Sequence, residues 1–220
     1  MCALLFISIS NNNITSMVIL NIIKGRRSIR RYKIQDIPYE KILEILEAGI
    51  WAPSSGNLQN WYFIVVKDPK KRKQLAEASM GQGFVYEAPV VIVVCSDTKK
   101  VEYFYGSRGK FYAIQNVAAA IQNILLEAWS EGIGTCWIGA FDEKRVKEVL
   151  EIPKDIEVHA LVTLGYPDES PSSDRQPLRE KVFFERWGNR VYIPKLYPLL
   201  EKLEDLNWKF KDLRNRLKKQ

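Results

Sequence analysis

The sequence predicts a three-layer α/β or α+β fold, in which helices cover a central sheet. Segments with helical periodicity alternate along the chain with apolar runs that have strand character. One run, residues 89–95, is continuously apolar, as expected for a strand that is buried on both faces. The chain has 220 residues, which is enough for one domain with a substantial core.

Local patterns predict each element in turn. Residues 38–50 carry apolar side chains at helical spacing, and residues 61–67 are aromatic and β-branched, as in strands. The long segment 108–131 has one apolar side, and its three successive alanines at 118–120 would let another helix approach closely. Asp142 is typical of a helix N-cap. The full set comprises helices near 18–25 and at 38–50, 69–79, 108–131 and 142–150, and strands at 61–67, 89–95, 135–140 and 157–164.

The two ends of the chain differ from the rest. Residues 1–16 are predicted to be an extension with little role before a start at Met17, and a short signal peptide is the alternative. Residues 17–190 form the predicted domain, and residues 191–220 a C-terminal helical arm. The arm carries an apolar seam, and residues 195–220 hold eight basic and four acidic residues. Because the acids interleave with the bases, packing on the protein body or a second subunit is favoured over binding to a membrane or nucleic acid.

A small polar loop lies between the predicted helix 38–50 and the strand 61–67. Its side chains and backbone N–H groups could bind one flat polar ligand, although these residue types also serve turns alone. The residues are Ser54, Ser55, Gly56, Asn57 and Gln59.

A basic segment, residues 24–33, holds six basic residues and no acid. Arg26 and Arg30 are four residues apart, so a helical turn would place them on one face. Guanidinium groups bind phosphate through paired donors, and the Ser28 hydroxyl could join them. The alternative is a solvated basic patch.

A glycine-rich segment, residues 132–141, is the third candidate. Gly139 and Ala140 have little or no side chain, so a ring could approach the backbone closely. In the alternative interpretation, Gly132 and Gly134 only end the preceding helix.

In this order, these segments resemble the FMN-dependent nitroreductase family. The matching pieces are residues 26–30, 52–59, 87–94, 132–141, 164–167 and 175–178, within a resemblance that spans about residues 17–187. It implies a central, mostly antiparallel sheet and a homodimer with FMN at the subunit interface. It also implies ping-pong transfer of hydride from NAD(P)H through FMN to an acceptor such as a nitroaromatic or a quinone.

The resemblance implies a role for each matching residue. Arg26 and Arg175 would hold the phosphate with Arg27 and Ser28 beside them, and Arg30 would support the pyrimidine edge of the ring electrostatically. No side chain would act as a nucleophile. The loop residues Pro53, Ser54, Ser55 and Asn57 would cover the flavin from the neighbouring subunit, and Gln59 would touch the ribityl chain or the loop backbone. The remaining flavin contacts would be the amide of Gln82 and the ring-lining residues Trp137, Ile138, Gly139 and Ala140.

The composition of the chain bears on other classes of function. One histidine and three unpaired cysteines make a metal site improbable and predict reduced thiols in the cytoplasm. His159 is expected to be structural. A nucleic-acid-binding module and a flavin-binding protein without turnover stay open as alternatives. The aromatic stretch 103–112 could roof the acceptor site or simply pack.

Overall fold

The computed structural model describes residues 12–190, which form two units, 12–172 and 173–190. The predicted arm and residues 1–11 lie outside the described residues. The helices are α1 (Asn12–Gly25), α2 (Tyr39–Ile50), α3 (Pro69–Ala78), α4 (Phe84–Glu87), α5 (Thr98–Tyr105), α6 (Gly109–Ser130) and α7 (Glu143–Leu150), and the strands are β1 (Trp61–Val66), β2 (Val90–Ser96), β3 (Gly134–Ile138) and β4 (Glu157–Gly165). Short 3₁₀ turns lie at Ser55–Asn57, Gly106–Arg108 and, in the second unit, Leu178–Glu180.

The four strands form one antiparallel sheet in the order β1-β2-β4-β3. Strand β2 is buried along its whole length, which confirms the interpretation of its continuously apolar sequence. β1 and β3 are the two edges of the sheet. Since neighbouring strands lie about 4.8 Å apart, three spacings put these edges roughly 14 Å from each other.

Helices cover both faces of the sheet, so the predicted three-layer architecture is confirmed. Alternate residues of β2 point to opposite faces, as a pleated strand requires. Val90, Ile92 and Val94 pack in one core cluster with α2 and α6. Val91, Val93 and Cys95 pack in a second cluster with α3, α4 and α7.

Helix caps agree with the local sequence. Asp68, Asp97 and Asp142 each precede a helix, and each carboxylate accepts a hydrogen bond from the backbone N–H three residues later. α2 and α6 approach closely at Gly49, where a Cβ atom would lie 2.9 Å from Ile124 Cγ1. Within residues 12–190, no helix is both long and apolar enough to cross a membrane.

Three helical features differ from the prediction. α1 begins at Asn12 rather than near residue 18. α4 is a single turn of four residues, too short to give a periodic signal. α5 was not predicted, because its aromatic residues 103–105 lie on the exposed side rather than along a buried stripe.

Candidate functional site

The candidate site begins where the basic segment meets the edge strand β3. Ser28 pairs with Thr135 in a parallel bridge, and the Ile29 N–H donates to the Thr135 carbonyl at 2.8 Å. The Ile29 side chain is fully buried against Gly134, where a Cβ atom would lie 2.7 Å from Ile29 Cγ1. The basic segment is therefore fixed along the outer edge of β3.

Arg26 and Arg30 belong to the segment that pairs with this edge, and no helix holds them. α1 ends at Gly25, so the helical turn suggested by their spacing is wrong. Burial raises the pKa of the Cys136 thiol, and the charges of Arg30 and Arg26 both act to lower it. Both guanidinium groups thus influence one residue of β3. The Arg30 guanidinium carbon also lies 5.8 Å from the centre of the Phe84 ring.

Arg27 turns back onto the end of α1. Its Nη1 donates to the carbonyls of Lys24 at 2.6 Å, Arg26 at 2.8 Å and Gly25 at 3.3 Å. These carbonyls have no partner inside the helix, and a cation also suits the negative end of the helix dipole. Arg27 Nε is buried without an acceptor among the described residues, as is the hydroxyl of Thr135.

A turn between α3 and α4 brings Gln82 to the end of β3. The Gln82 side-chain amide donates to the Ser79 carbonyl at 2.8 Å and lies 3.4 Å from the Ala140 carbonyl. The Asp142 N–H donates to the Ala78 carbonyl at 2.8 Å, which ties this turn to the segment after β3. The structure thus brings Gln82 beside Ala140, one of the predicted ring-lining residues.

The segment from Trp137 to Ala140 offers an open surface. Gly139 and Ala140 are exposed, and among residues 12–190, apart from the two that adjoin Gly139, no heavy atom lies within 4 Å of the position that a Gly139 Cβ would take. The Trp137 side chain is 40% exposed. Ile138 is buried in the second core cluster, so its side chain faces away and only its backbone is left to line a ligand.

These residues fit the flavin that the resemblance implies. The open surface at Gly139 would admit a ring. Two cationic side chains belong to the segment that pairs with β3, and the Arg27 Nε–H and the Thr135 hydroxyl are donors that lack a partner among residues 12–190. Phosphate needs such cations and donors, whereas the faces of the ring need small neighbours.

The polar loop lies at the opposite edge of the sheet, before β1. Ser55 donates to Asn116 Oδ1 from its backbone N–H at 3.0 Å and its hydroxyl at 3.1 Å. The Gln59 N–H donates to Ser54 Oγ at 3.0 Å, and its side-chain amide donates to Asn57 Oδ1 at 3.0 Å. Pro53 is exposed. The loop is thus held in shape, but a single chain does not bring it to the arginines.

Arg175 lies in the second unit. Its Nη1 donates to Ser173 Oγ at 2.9 Å and to the Asp174 carbonyl at 3.1 Å. Its predicted meeting with Arg26 at one phosphate stays a prediction.

Two residues that hydrogen-bond to the backbone of the basic segment, Tyr32 and Glu169, were not predicted from the sequence. The Tyr32 hydroxyl lies 2.6 Å from Thr163 Oγ1 and donates to the Ile29 carbonyl, and burial raises its pKa far above the ordinary value. Glu169 accepts hydrogen bonds from the backbone N–H groups of Arg30 and Arg31. The one sequence feature that points to Tyr32 is Gly165, because its missing side chain makes room for the tyrosine. A Cβ atom at Gly165 would lie 2.5 Å from the Tyr32 ring.

His159 lies at the other end of β4, in a polar cluster. Its Nε2 is 2.7 Å from Ser96 Oγ, and burial lowers its pKa. Ser96 in turn lies 3.1 Å from the Thr98 hydroxyl, which donates to Glu157. Ser96 is fully buried, so this cluster offers no open site.

Comparison with known proteins gives consistent matches. The model of the nitroreductase family matches residues 23–85 and 79–166. A protein of Archaeoglobus fulgidus, provisionally named an NADH dehydrogenase/NAD(P)H nitroreductase, is 38% identical over 76% of this chain and 98% of its own length. An NADH dehydrogenase of Thermus thermophilus is 36% identical, over 72% of this chain and 92% of its own.

A solved structure gives the same result at the level of the fold. The FMN-dependent nitroreductase of Clostridium difficile is 31% identical and superposes with a TM-score of 0.67, covering 76% of this chain and 99% of the other.

Proposed function

This chain belongs to the nitroreductase family, and on that premise we propose that it is an FMN-dependent oxidoreductase that uses NAD(P)H. FMN, when bound, accepts hydride from NAD(P)H and passes it to an acceptor. The chain's own residues bind the phosphate, orient the ring and set the charge around it. An FMN reductase of Bacillus subtilis and an NADPH-flavin oxidoreductase of Vibrio harveyi are among the relatives.

One observation supports the proposal above the others. The basic segment is hydrogen-bonded along the edge of β3 at Thr135, and the same strand leads on to the open surface at Gly139. Arg26 and Arg30 would stabilise the phosphate and the negative charge that the ring gains on reduction. Ser28 and the free Arg27 Nε–H would add donors, while Arg27 Nη1 fixes the end of α1.

Around the ring, each residue has a distinct part. Trp137 and the small residues Gly139 and Ala140 would line the ring, together with the backbone of Ile138. The Gln82 amide would contact its polar edge. The acceptor would be a small molecule such as a nitroaromatic, in keeping with the nitroreductase name of the Archaeoglobus fulgidus relative, or a quinone.

The working form is a homodimer, with Pro53, Ser54, Ser55, Asn57 and Gln59 reaching the FMN of the other subunit. The separation of loop and arginines at opposite edges of the sheet supports it. A set of exposed apolar side chains on three helices does so too, because apolar side chains left in water often mark a subunit interface. It comprises the exposed residues Val18, Ile19, Leu20 and Ile23 of α1, Leu43 and Ile50 of α2, and Phe111 and Ile114 of α6.

The rival functions make different predictions. A nucleic-acid-binding module would lose affinity steeply with salt and would purify colourless. A flavin-binding protein without turnover would purify yellow but would not oxidise NAD(P)H. A cytoplasmic location stays a prediction.

A spectroscopic experiment tests the function directly. The purified protein, reconstituted with FMN, is mixed with NADH or NADPH without oxygen. We expect the flavin absorbance to bleach and to return when a quinone or nitroaromatic is added. A protein that binds no FMN, or whose FMN stays oxidised, would contradict the proposal.

The phosphate assignment has its own test. We expect Arg26→Ala and Arg175→Ala each to weaken FMN binding about tenfold or more, because each removes charge-assisted hydrogen bonds. Fluorescence titration of the FMN-free protein measures the affinity. Lys154→Ala removes one exposed cation from the turn before β4, far along the chain from the basic segment, and should leave the affinity unchanged. Unchanged affinity in both arginine variants would refute the assignment.

A further inference from the structure

Glu169 fastens the backbone of the basic segment. It follows β4 in a stretch that runs alongside residues 31–33. The Lys33 N–H donates to the Tyr166 carbonyl at 2.9 Å, and the Asp168 N–H donates to the Arg31 carbonyl at 3.0 Å. Glu169 extends this pairing, because its Oε1 accepts from the Arg30 N–H and, at 3.1 Å, from the Arg31 N–H.

The carboxylate extends the backbone hydrogen bonding of the segment. The Ile29 N–H is taken by Thr135, and the next two N–H groups along the chain both go to Glu169. Hydrogen bonds to an ionised acceptor are roughly twice as strong as neutral ones, so one side chain can hold two successive peptide groups.

The position of Glu169 matters because Arg30 is one of the two peptide groups it holds. Its hydrogen bonds use the backbone of Arg30 and leave the guanidinium group near the Phe84 ring, at 5.8 Å. Fixing the backbone on which a long side chain is mounted limits where its charged end can go.

We propose that Glu169 is a positioning residue for the oxidoreductase. By accepting hydrogen bonds from the backbone N–H groups of Arg30 and Arg31, it holds the Arg30 guanidinium at the pyrimidine edge of the flavin ring. This inference rests on the proposed function, but the hydrogen bonds on which it depends belong to the FMN-free chain. The acid acts through the arginine and not through its own charge.

The two ways of acting give potential shifts of opposite sign. Reduced FMN carries extra negative charge, so a nearby cation raises its midpoint potential and a nearby anion lowers it. If Glu169 acted directly by its charge, removing that charge would raise the potential. If it positions Arg30, releasing the arginine lowers the potential.

Three variants at this position separate reach from charge. Glu169→Ala removes both. Glu169→Gln keeps an oxygen acceptor at the same reach without the charge, and Glu169→Asp keeps the charge with a shorter side chain. Glu148→Ala, which removes an exposed carboxylate on α7, is the matched control.

The first measurement uses protein without FMN. We expect amide hydrogen exchange at Arg30 and Arg31 to quicken about tenfold or more in the Ala and Asp variants, to quicken less in the Gln variant, whose neutral oxygen is a weaker acceptor, and to stay at the native rate in the control. Native exchange at these amides in Glu169→Ala would overturn the proposal, whether or not the chain proves to bind FMN.

The second measurement is the midpoint potential of the FMN-loaded variants. We expect it to fall in Glu169→Ala and Glu169→Asp and to fall less in Glu169→Gln, which keeps a weaker acceptor at the same reach. In an Arg30→Ala background, the change from Glu169→Ala should vanish. A rise in both the Ala and Gln variants, persisting without Arg30, would show direct action by charge and overturn the proposal.

Discussion

At the scale of single residues, Gly134 and Gly139 of the glycine-rich segment lie in opposite surroundings. Gly134 leaves room for a neighbour, because a Cβ atom there would lie 2.7 Å from Ile29 Cγ1. The space beside Gly139 is open instead, since no heavy atom of the described residues outside its two neighbours lies within 4 Å of its Cβ position. Close packing of β3 against the basic segment therefore depends on Gly134, and the open surface depends on Gly139.

This contrast predicts different costs for the same substitution. We expect Gly134→Ala to lower the free energy of unfolding by about 1–3 kcal/mol, because the methyl group forces the buried Ile29 to move. Gly139→Ala should change it by no more than about 0.5 kcal/mol. Urea unfolding of the FMN-free variants measures both. Equal effects would mean that Ile29 yields without cost and that its packing does not fix the segment.

The same scale explains which site residues the sequence reveals. Arg26, Ser28 and Arg30 are visible because they form one dense local run. Glu169 was missed, although it holds the same run, because its partner Arg30 is 139 residues away in sequence. A single acid in a loop carries no local signal of a contact formed only by the fold.

At the scale of elements, periodicity and caps predicted most of the fold. Strand β1 was predicted at 61–67 and spans Trp61–Val66, and α7 was predicted at 142–150 and spans Glu143–Leu150 after its Asp142 cap. Both predictions are confirmed because the burial pattern of β1 and the cap of α7 depend on residues within the element or next to it. α5 has its capping aspartate but exposes its aromatic side chains, so hydrophobic pattern could not identify it.

The basic segment shows where local reasoning fails at this scale. A spacing of four between Arg26 and Arg30 suggested a helical turn, yet α1 has ended at Gly25. The segment is extended instead, because the edge of β3 offers the Thr135 carbonyl and the chain after β4 offers further partners. Long-range pairing with an open strand edge outweighed local helix formation.

At the scale of the whole molecule, the two parts of the proposed FMN site lie at opposite edges of one sheet. Arg26 and Arg30 act at β3, and the loop of Asn57 and Gln59 precedes β1, at the far edge of the same sheet. In a two-fold symmetric dimer, each site would take its arginines from one subunit and its loop from the other. Subunits with different defects can then restore each other.

We therefore expect complementation between two defective chains. One carries Arg26→Ala and Arg30→Ala, and the other carries Asn57→Ala and Gln59→Ala, so each homodimer should bind FMN poorly. A hybrid isolated through two affinity tags has one site with both native halves and one site with neither. It should hold about half of the FMN of the native dimer, as two-fold symmetry requires. If both halves of a site came from one chain, every site in the hybrid would keep a defect, and its FMN content would stay at the level of the parents.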